Sequence, residues 1–366
     1  MPAPSHAPDP SGPLGASRRD RILDALARDG EVRVSQLAAD LGAAAVTLRR
    51  DLQQLEADGL LTRVHGGAVP PAGGVAARPA TRGSGRIGVL VPSLDFYWPD
   101  IVRSIESAAR DRGYAMLLRG TSYDMQDERP VLARMLEAGD VAGLVVAPNT
   151  DTEFAPDVIA WLEQSGVPFV LAEREAARRP LGTPLESVAT DHALGAILAA
   201  RHLAALGHRK VGLLISRSSP TSRKIIAGWT AACRELGLTP DDHVERILPD
   251  RGDAAFSRAV EAVLDAVLAA GVTALLVHSD REAMALVDLA LARGLAVPGD
   301  LSVIAYDDEY AELFTPALTG VAPPRAAIGR AALDLLAARI ADPARPVHRL
   351  TISPELNVRD STGEPG

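Results

Sequence analysis

Cysteine is nearly missing from this chain: 366 residues contain one, Cys233. That excludes an intramolecular disulfide and any multi-cysteine metal site. Lysine occurs only at Lys210 and Lys224, all other basic side chains apart from histidine being arginine. Together with the abundant alanine this reads as GC-rich coding, so arginine content alone is weak evidence for phosphate binding. Aromatics are 4% of the residues, so any cluster of them is informative. No apolar run approaches the length of a membrane span. The N-terminus lacks a basic region followed by an apolar stretch, so no signal peptide is expected. A cytoplasmic protein without a membrane partner follows. The formal net charge of −9 argues against a surface coated by nucleic acid, so any DNA contact must be local. Hydrophobic sequence, at 47%, is ample for the cores of the two or three domains expected at this length.

Residues 1–16 are rich in Pro, Ala, Ser and Gly and are expected to be disordered. A domain over residues 17–68 follows. Ser17 can cap a helix from Arg18 to Arg28, with Ile22, Leu23 and Leu26 inward and Gly30 at its end. Val34 to Leu41 is a second short helix with Leu37, Ala38 and Leu41 inward, and Gly42 turns the chain. In the third helix Leu48, Leu52 and Leu55 form one apolar stripe. Val46, Arg50 and Gln53 lie opposite, flanked by Thr47, Arg49 and Gln54. An edge of Arg, Thr and Gln suits a DNA major groove, where Arg pairs bidentately with guanine and Gln with adenine. A solvated amphipathic helix followed by a hairpin is the plainer reading of that stretch alone. Gly59 ends the helix, and Leu60 to Val64 lead to the Gly66-Gly67 turn. Three helices, a strand and a glycine turn describe a winged helix-turn-helix. Arg63 and His65 are candidate wing contacts, His65 with equal weight as a turn residue. The stretch Arg18 to Ala68 holds eight Arg against eight Asp or Glu. A head without net charge binds phosphate weakly, so useful affinity requires two heads on one palindromic site.

Residues 69–85 carry Pro70, Pro71 and Pro79 with four glycines and read as a tether. From Arg86 onward the chain alternates strands and helices. Expected strands are Ile87–Val91, Tyr114–Leu118, Leu144–Ala147, Phe169–Ala172, Ser187–Thr190, Val211–Ile215, Val244–Leu248, Ala274–Val277 and Val303–Tyr306. A late helix over Ile328–Ile340 and a final strand over Leu350–Val358 complete the pattern. Repeated βα units imply parallel sheets with helices on both faces. The restart at Lys210 implies two similar lobes. The fold class is therefore α/β: two doubly wound parallel sheets over residues 86–362, preceded by a small winged helix-turn-helix domain.

In such sheets ligands sit beyond the carboxyl ends of the strands. Those ends carry Asp95 with Phe96, Tyr97 and Trp98, then Asn149, Glu173-Arg174, Asp191, Ser279-Asp280 and Asp307-Asp308. Carboxylates and arginine can hold sugar hydroxyls, and an aromatic face can stack on a sugar ring or a nucleobase. Each Asp is also placed to cap a following helix, and for Asp191 and Asp280 the cap is the simpler reading. Asp307 has no clear helix start after it and is the better ligand candidate. Trp229, at helical spacing with Ile225 and Ile226, reads as core.

Two resemblances follow from ordered motifs. Val34-Ser35-Gln36-Leu37-Ala38, Thr47-Leu48-Arg49-Arg50-Asp51-Leu52 and Arg63-Val64-His65-Gly66-Gly67-Ala68 resemble the DeoR-family head. That family usually has Ser where Ala44 stands, a residue that would cap the third helix or touch a phosphate. Ile87-Gly88-Val89-Leu90-Val91-Pro92, Val297-Pro298-Gly299-Asp300-Leu301-Ser302-Val303, Tyr306-Asp307-Asp308 and Pro354-Glu355-Leu356-Asn357-Val358 resemble the LacI/GalR-type sensor, which has the fold of periplasmic sugar-binding proteins. The resemblance implies effector contacts from Phe96, Tyr97, Trp98, Arg174 and Asp307. It also implies an Arg at the position of Ile225 that is replaced here, with Arg223 or Lys224 as possible substitutes. Neither the head pattern nor the hinge helix usual for LacI-type proteins is present.

The expected protein is a regulator that binds operator DNA as a homodimer and answers to a sugar-like effector held between two lobes. DNA contacts are expected from Val46, Thr47, Arg49, Arg50, Gln53, Arg63 and His65. Effector contacts are expected from Phe96, Tyr97, Trp98, Asn149, Arg174, Arg223, Asp280 and Asp307. The alternative is a small-molecule binding protein whose head makes protein contacts. No P-loop, nucleophile motif or metal cluster supports an enzyme, and no motif implies a cofactor.

Overall fold

The computed structural model describes residues 18–19, 21–22, 25–26, 30–57, 61–64, 66–69, 85–217, 219–238 and 244–366. Residues 1–16, Gly59, His65 and all but the ends of the expected tether lie outside the described residues. The chain forms two units, Met1–Arg82 and Gly83–Gly366.

In the first unit, helices α1 (Val34–Leu41) and α2 (Ala45–Ala57) are joined through Gly42, whose φ of 59° is left-handed. The stripe Leu48, Leu52 and Leu55 is buried against Ile22, Leu26, Leu37 and Leu61. Ala44 occupies the N-cap of α2, its carbonyl accepting from Leu48 N at 3.1 Å. With no side-chain oxygen there, the first N–H groups of the helix lack the usual internal acceptor. Strands β2 (Thr62–Val64) and β3 (Gly67–Val69) form the wing. A short strand that periodicity did not expect, β1 (Val32–Arg33), pairs with β3. Two residues are too few to show a period of two. Gly67 is required there: a Cβ would lie 2.0 Å from the carbonyl oxygen of Val32. Asp51, on the same helix as the exposed Arg49 and Arg50, is buried and accepts from Arg18 Nε at 2.6 Å.

The second unit contains two six-stranded sheets. One has the order β16-β10-β7-β6-β4-β5 and is parallel throughout. Its strands are β4 (Arg86–Val91), β5 (Ala115–Gly120), β6 (Val141–Val146), β7 (Phe169–Ala172), β10 (Ser187–Thr190) and β16 (Arg349–Ile352). The other has the order β12-β11-β13-β14-β15-β17, with β17 antiparallel at its edge. It comprises β11 (Val211–Ser216), β12 (Val244–Leu248), β13 (Ala274–His278), β14 (Ser302–Tyr306), β15 (Thr319–Ala322) and β17 (Glu355–Asn357). A hairpin of β8 (Ala177–Arg178) and β9 (Thr183–Pro184) stands apart. The helices are α3 (Trp98–Asp111), α4 (Arg129–Glu137), α5 (Ala155–Gln164), α6 (His192–Ala205), α7 (Ser222–Leu236), α8 (Phe256–Ala269), α9 (Asp280–Ala292) and α10 (Arg325–Ala341).

The lobes do not divide at Lys210. The chain crosses from the first lobe to the second between β10 and α6, returns between β15 and α10, and crosses again between β16 and β17. The expected final strand over Leu350–Val358 is therefore two strands in different sheets, separated at Ser353-Pro354. Proline cannot donate to a ladder, which favours a break there. Helix α10 returns to pack on α3, where Gly329 sits so close to Ile101 that a Cβ would lie 2.4 Å from the Ile101 carbonyl oxygen. Three crossings leave a cleft between the lobes, at the carboxyl ends of both sheets.

Candidate functional site

The loop after β4 sets the first wall of the cleft. Phe96 has a φ of 54°, a conformation that a bulky residue adopts only when held. It is held from the other lobe: the Arg281 guanidinium lies 4.3 Å from its ring centroid and Tyr310 meets it edge-on at 6.0 Å. Trp98 begins α3, is 1% exposed, and donates from Nε1 to Tyr123 Oη at 2.9 Å. Tyr97 donates its hydroxyl to Glu173 Oε1 at 2.7 Å.

Glu173 and Arg174 follow β7, and both are buried. Glu173 also accepts from Thr190 N at 3.0 Å and Thr190 Oγ1 at 2.7 Å, with His192 Nε2 3.4 Å away. Burial alone would push its carboxyl up. His192 and the Thr190 donors outweigh burial and hold it down at about 2. Arg174 donates from Nε to the Pro148 carbonyl at 3.1 Å and from Nη1 to its own neighbour's carbonyl, Glu173 O, at 2.8 Å. Both acceptors are neutral, so its charge is not cancelled by a direct partner.

Asp307 follows β14 with a φ of 101°. Its carboxylate has no hydrogen bond or ion pair with any described residue, although its main chain bonds Val321 and Arg325. Burial pushes its carboxyl up to about 6, with Glu282 and Glu173 adding to that and His192 and Arg325 opposing it. An acid that is unpaired, desolvated and on strained backbone is a group prepared for something outside the protein.

These residues line one cavity of about 280 Å³ between the lobes. Phe96, Tyr97, Trp98, Tyr123 and Arg174 come from the first lobe; His192, Ser219, Arg251, His278, Arg281 and Asp307 come from the second. His278 is buried and pushed down to about 4, chiefly by burial, so it is neutral at pH 7.

The sequence-expected residues divide into three groups. Phe96, Tyr97, Trp98, Arg174 and Asp307 line this cavity. Asn149 and Arg223 instead line a neighbouring cavity of about 390 Å³. Asn149 donates to Tyr123 O at 2.9 Å and accepts from Asp151 N at 3.1 Å, so its amide shapes the loop. Arg223 is largely exposed and pairs with Asp151 across the cleft at 2.9 Å. Asp280 lines neither cavity. Its buried carboxylate accepts the main-chain N–H groups of Asp308, Glu309, Tyr310 and Ala311, at 3.0, 2.6, 2.8 and 3.2 Å. It therefore shapes the loop that follows Asp307. It is not the cap of α9 either: Ser279 is, through a capping box with Glu282. Asp191 does cap α6, accepting from Leu194 N at 2.9 Å. Ile225 and Trp229 are fully buried core residues, and Lys224 pairs with Glu175, so none of the three enters the cavity.

Sequence reasoning missed His192, His278, Arg251 and Arg281. The strand-end rule pointed within two residues of three of them but ranked acids above imidazoles. Arg251 follows β12 by three residues, in the loop Pro249-Asp250-Arg251.

On the head, Val46 is 75% exposed, and Arg49, Arg50 and Gln53 are exposed beside it. Thr47 is half-buried. Arg49 and Arg50 have no ion pair among the described residues. Arg63 is different: its Nε bonds Glu56 Oε2 at 2.6 Å and its main-chain N bonds Glu56 Oε1 at 2.9 Å. The pairing fastens the wing to α2 and partly neutralises the wing's cation.

Comparison with known proteins agrees with both halves. Residues 18–72 match the DeoR-like helix-turn-helix domain, and residues 200–362 match the periplasmic binding protein-like domain. An uncharacterised HTH-type transcriptional regulator of Streptomyces limosus is 35% identical over 296 residues, covering 77% of this chain and 80% of that protein. The chain belongs to the LacI-type family of transcriptional regulators. The HTH-type transcriptional repressor PurR of Photobacterium profundum is 30% identical over 279 residues, covering 75% of this chain and 80% of its own. A LacI family transcriptional regulator of Enterococcus faecium, solved with bound ribose, superimposes with a TM-score of 0.63 at 24% identity, over 76% of this chain and 99% of its own. This LacI-type regulator thus joins a DeoR-like head to its sensor. Among the described residues no helix is long and apolar enough to cross a membrane.

Proposed function

We propose that this regulator binds operator DNA as a homodimer and that a sugar-like effector in the 280 Å³ cavity controls that binding. One observation carries the effector reading: Asp307, unpaired and partly desolvated on strained backbone, faces a cavity walled by Trp98, Phe96 and Arg174. A sugar hydroxyl donates to Asp307, another accepts from Arg174, and the ring's apolar face lies on an aromatic wall. The volume lies near the lower end of small-molecule sites, about 300 Å³, which suits a single ring. The ribose bound by the Enterococcus faecium relative supports this class.

The domain boundaries follow the same reading: a head over residues 17–68, a tether over 69–85 and a sensor over 86–362. Val46, Thr47, Arg49, Arg50 and Gln53 face base edges; Arg63 and His65 reach the backbone from the wing. A head with eight Arg and eight acids in Arg18–Ala68, the wing's Arg63 already paired with Glu56 of α2, needs a twin for affinity. Effector closes the lobes and releases the operator, and the operator in turn weakens effector binding by the same factor. The protein acts in the cytoplasm and turns over no ligand.

The test is a thermal-shift screen of sugars, sugar phosphates and nucleosides, followed by operator titration with and without the hit. Arg50→Ala should lose about 1–3 kcal/mol of operator discrimination with an intact fold. Absence of salt-sensitive, sequence-dependent DNA binding under every ligand would end this reading.

A further inference from the structure

The neighbouring cavity of about 390 Å³ shares Arg174, Tyr123, Ser216, Ser219 and Pro220 with the first, so the two adjoin along a common wall. Their chemistry differs. The first has four aromatic rings and five acids, among them the unpaired Asp307, against Arg174, Arg251 and Arg281. The second has no aromatic ring beyond the shared Tyr123, and adds Arg217 and Arg223 to Arg174. Its acids are Asp124 and Asp151, and Asp151 is already bound to Arg223.

Arg174 is 5% exposed and fixed by two neutral carbonyls, while its Nη2 has no hydrogen-bond partner among the described residues. The adjacent carboxylate of Glu173 is engaged by Tyr97, Thr190 and His192. Arg217, on the loop after β11, is exposed and has no side-chain hydrogen bond or ion pair among the described residues. Two cations without direct counter-charges therefore face one cavity, one of them buried and immobile.

We infer that the effector carries an anionic substituent, a phosphate or a carboxylate, which the second cavity receives at Arg174 and Arg217. The inference rests on the effector reading above and extends it. A guanidinium already fixed in place loses little side-chain freedom on binding, and its planar fork suits paired oxygens. Asp307 repels an anion from the first cavity, so the ligand has one orientation: hydroxyls toward Asp307 and Trp98, charge toward Arg174.

The experiment is calorimetric titration of the full chain with matched pairs: ribose and ribose 5-phosphate, glucose and glucose 6-phosphate, glucose and glucuronate. In at least one pair the charged member should bind about tenfold tighter or more, the size of one charge-assisted hydrogen bond. Added NaCl should weaken the charged member and leave the neutral one unchanged. Arg217→Ala should narrow the preference within that pair several-fold, the remainder resting on Arg174. Arg217 is exposed, so its replacement leaves the fold intact, whereas Arg174 also holds the chain at Pro148. A neutral member that binds as tightly as its charged partner in every pair overturns the inference and leaves the effector reading standing. A preference that is undiminished in Arg217→Ala overturns it equally. Failure of every sugar, neutral and charged, overturns both.

Discussion

Replacing Asp307 by Asn should make the free sensor more stable and abolish its response to effector. Asn keeps the shape and tolerates positive φ, so the backbone at 101° is not disturbed. What changes is the charge. Half-buried without a partner, the Asp307 carboxyl is pushed up from the ordinary 3.8 to about 6, chiefly by desolvation. That gap corresponds to about 3 kcal/mol against the ionised form, which solvent at a partly exposed group reduces to ~1–2 kcal/mol. The sign is opposite to that of a paired carboxylate. Because the folded value lies above the unfolded one, the folded state is penalised above pH 6, and the penalty fades as pH falls toward 3.8. Asp307→Asn should therefore raise the sensor's Tm by ~2–5 °C at pH 8 and change it little at pH 4. Effector binding should show the reverse pattern. Hydroxyls donate to the ionised carboxylate, so wild-type affinity should fall about tenfold per pH unit below 6, and the variant should lose both the affinity and the pH dependence. Scanning calorimetry at the two pH values and effector titration from pH 5 to 8 measure both. A variant that is destabilised equally at both pH values, or that still binds effector, would show Asp307 to be structural.

Three further outcomes follow. Arg18→Ala leaves the buried Asp51 carboxylate without its partner and should cost the head about 2–3 kcal/mol, read as loss of operator binding with the sensor's effector affinity unchanged. Gly67→Ala drives a Cβ into the Val32 carbonyl; gel-shift titration should show DNA binding lost, and retained binding would mean that the wing is dispensable. Arg281→Ala removes the cation from the Phe96 ring across the cleft and should weaken effector binding by a few-fold to about tenfold, chiefly through faster release in stopped-flow traces.

The family motifs and the apolar periodicity were legible because they are local. Leu48, Leu52 and Leu55 needed only helical spacing to be read as a buried stripe, and all three are buried. Strands such as β4, β6, β11 and β13 announced themselves as short apolar runs. The strand-end rule located Trp98, Arg174 and Asp307 because parallel sheets gather those ends in one place. Short elements left no such trace: β1 is two residues long, and β16 and β17 look like one strand until their partners are known.

By itself the sequence determined parallel sheets following a winged head in the chain, since alternating apolar strand runs and helices must bury their faces that way, while the point at which the two lobes divide was left to the tertiary structure. Only the tertiary structure decided which charges are free. Asp280 and Asp307 stand at two strand ends and look alike in sequence, yet one is consumed by four main-chain N–H groups and the other is left open. Arg63 and Arg50 look equally poised for DNA, yet only Arg63 is tied to Glu56. Arg223 looks like a sugar ligand and instead pairs with Asp151. A charged group's role depends on whether partners far along the chain have already satisfied it, and residue type and local spacing carry no record of that.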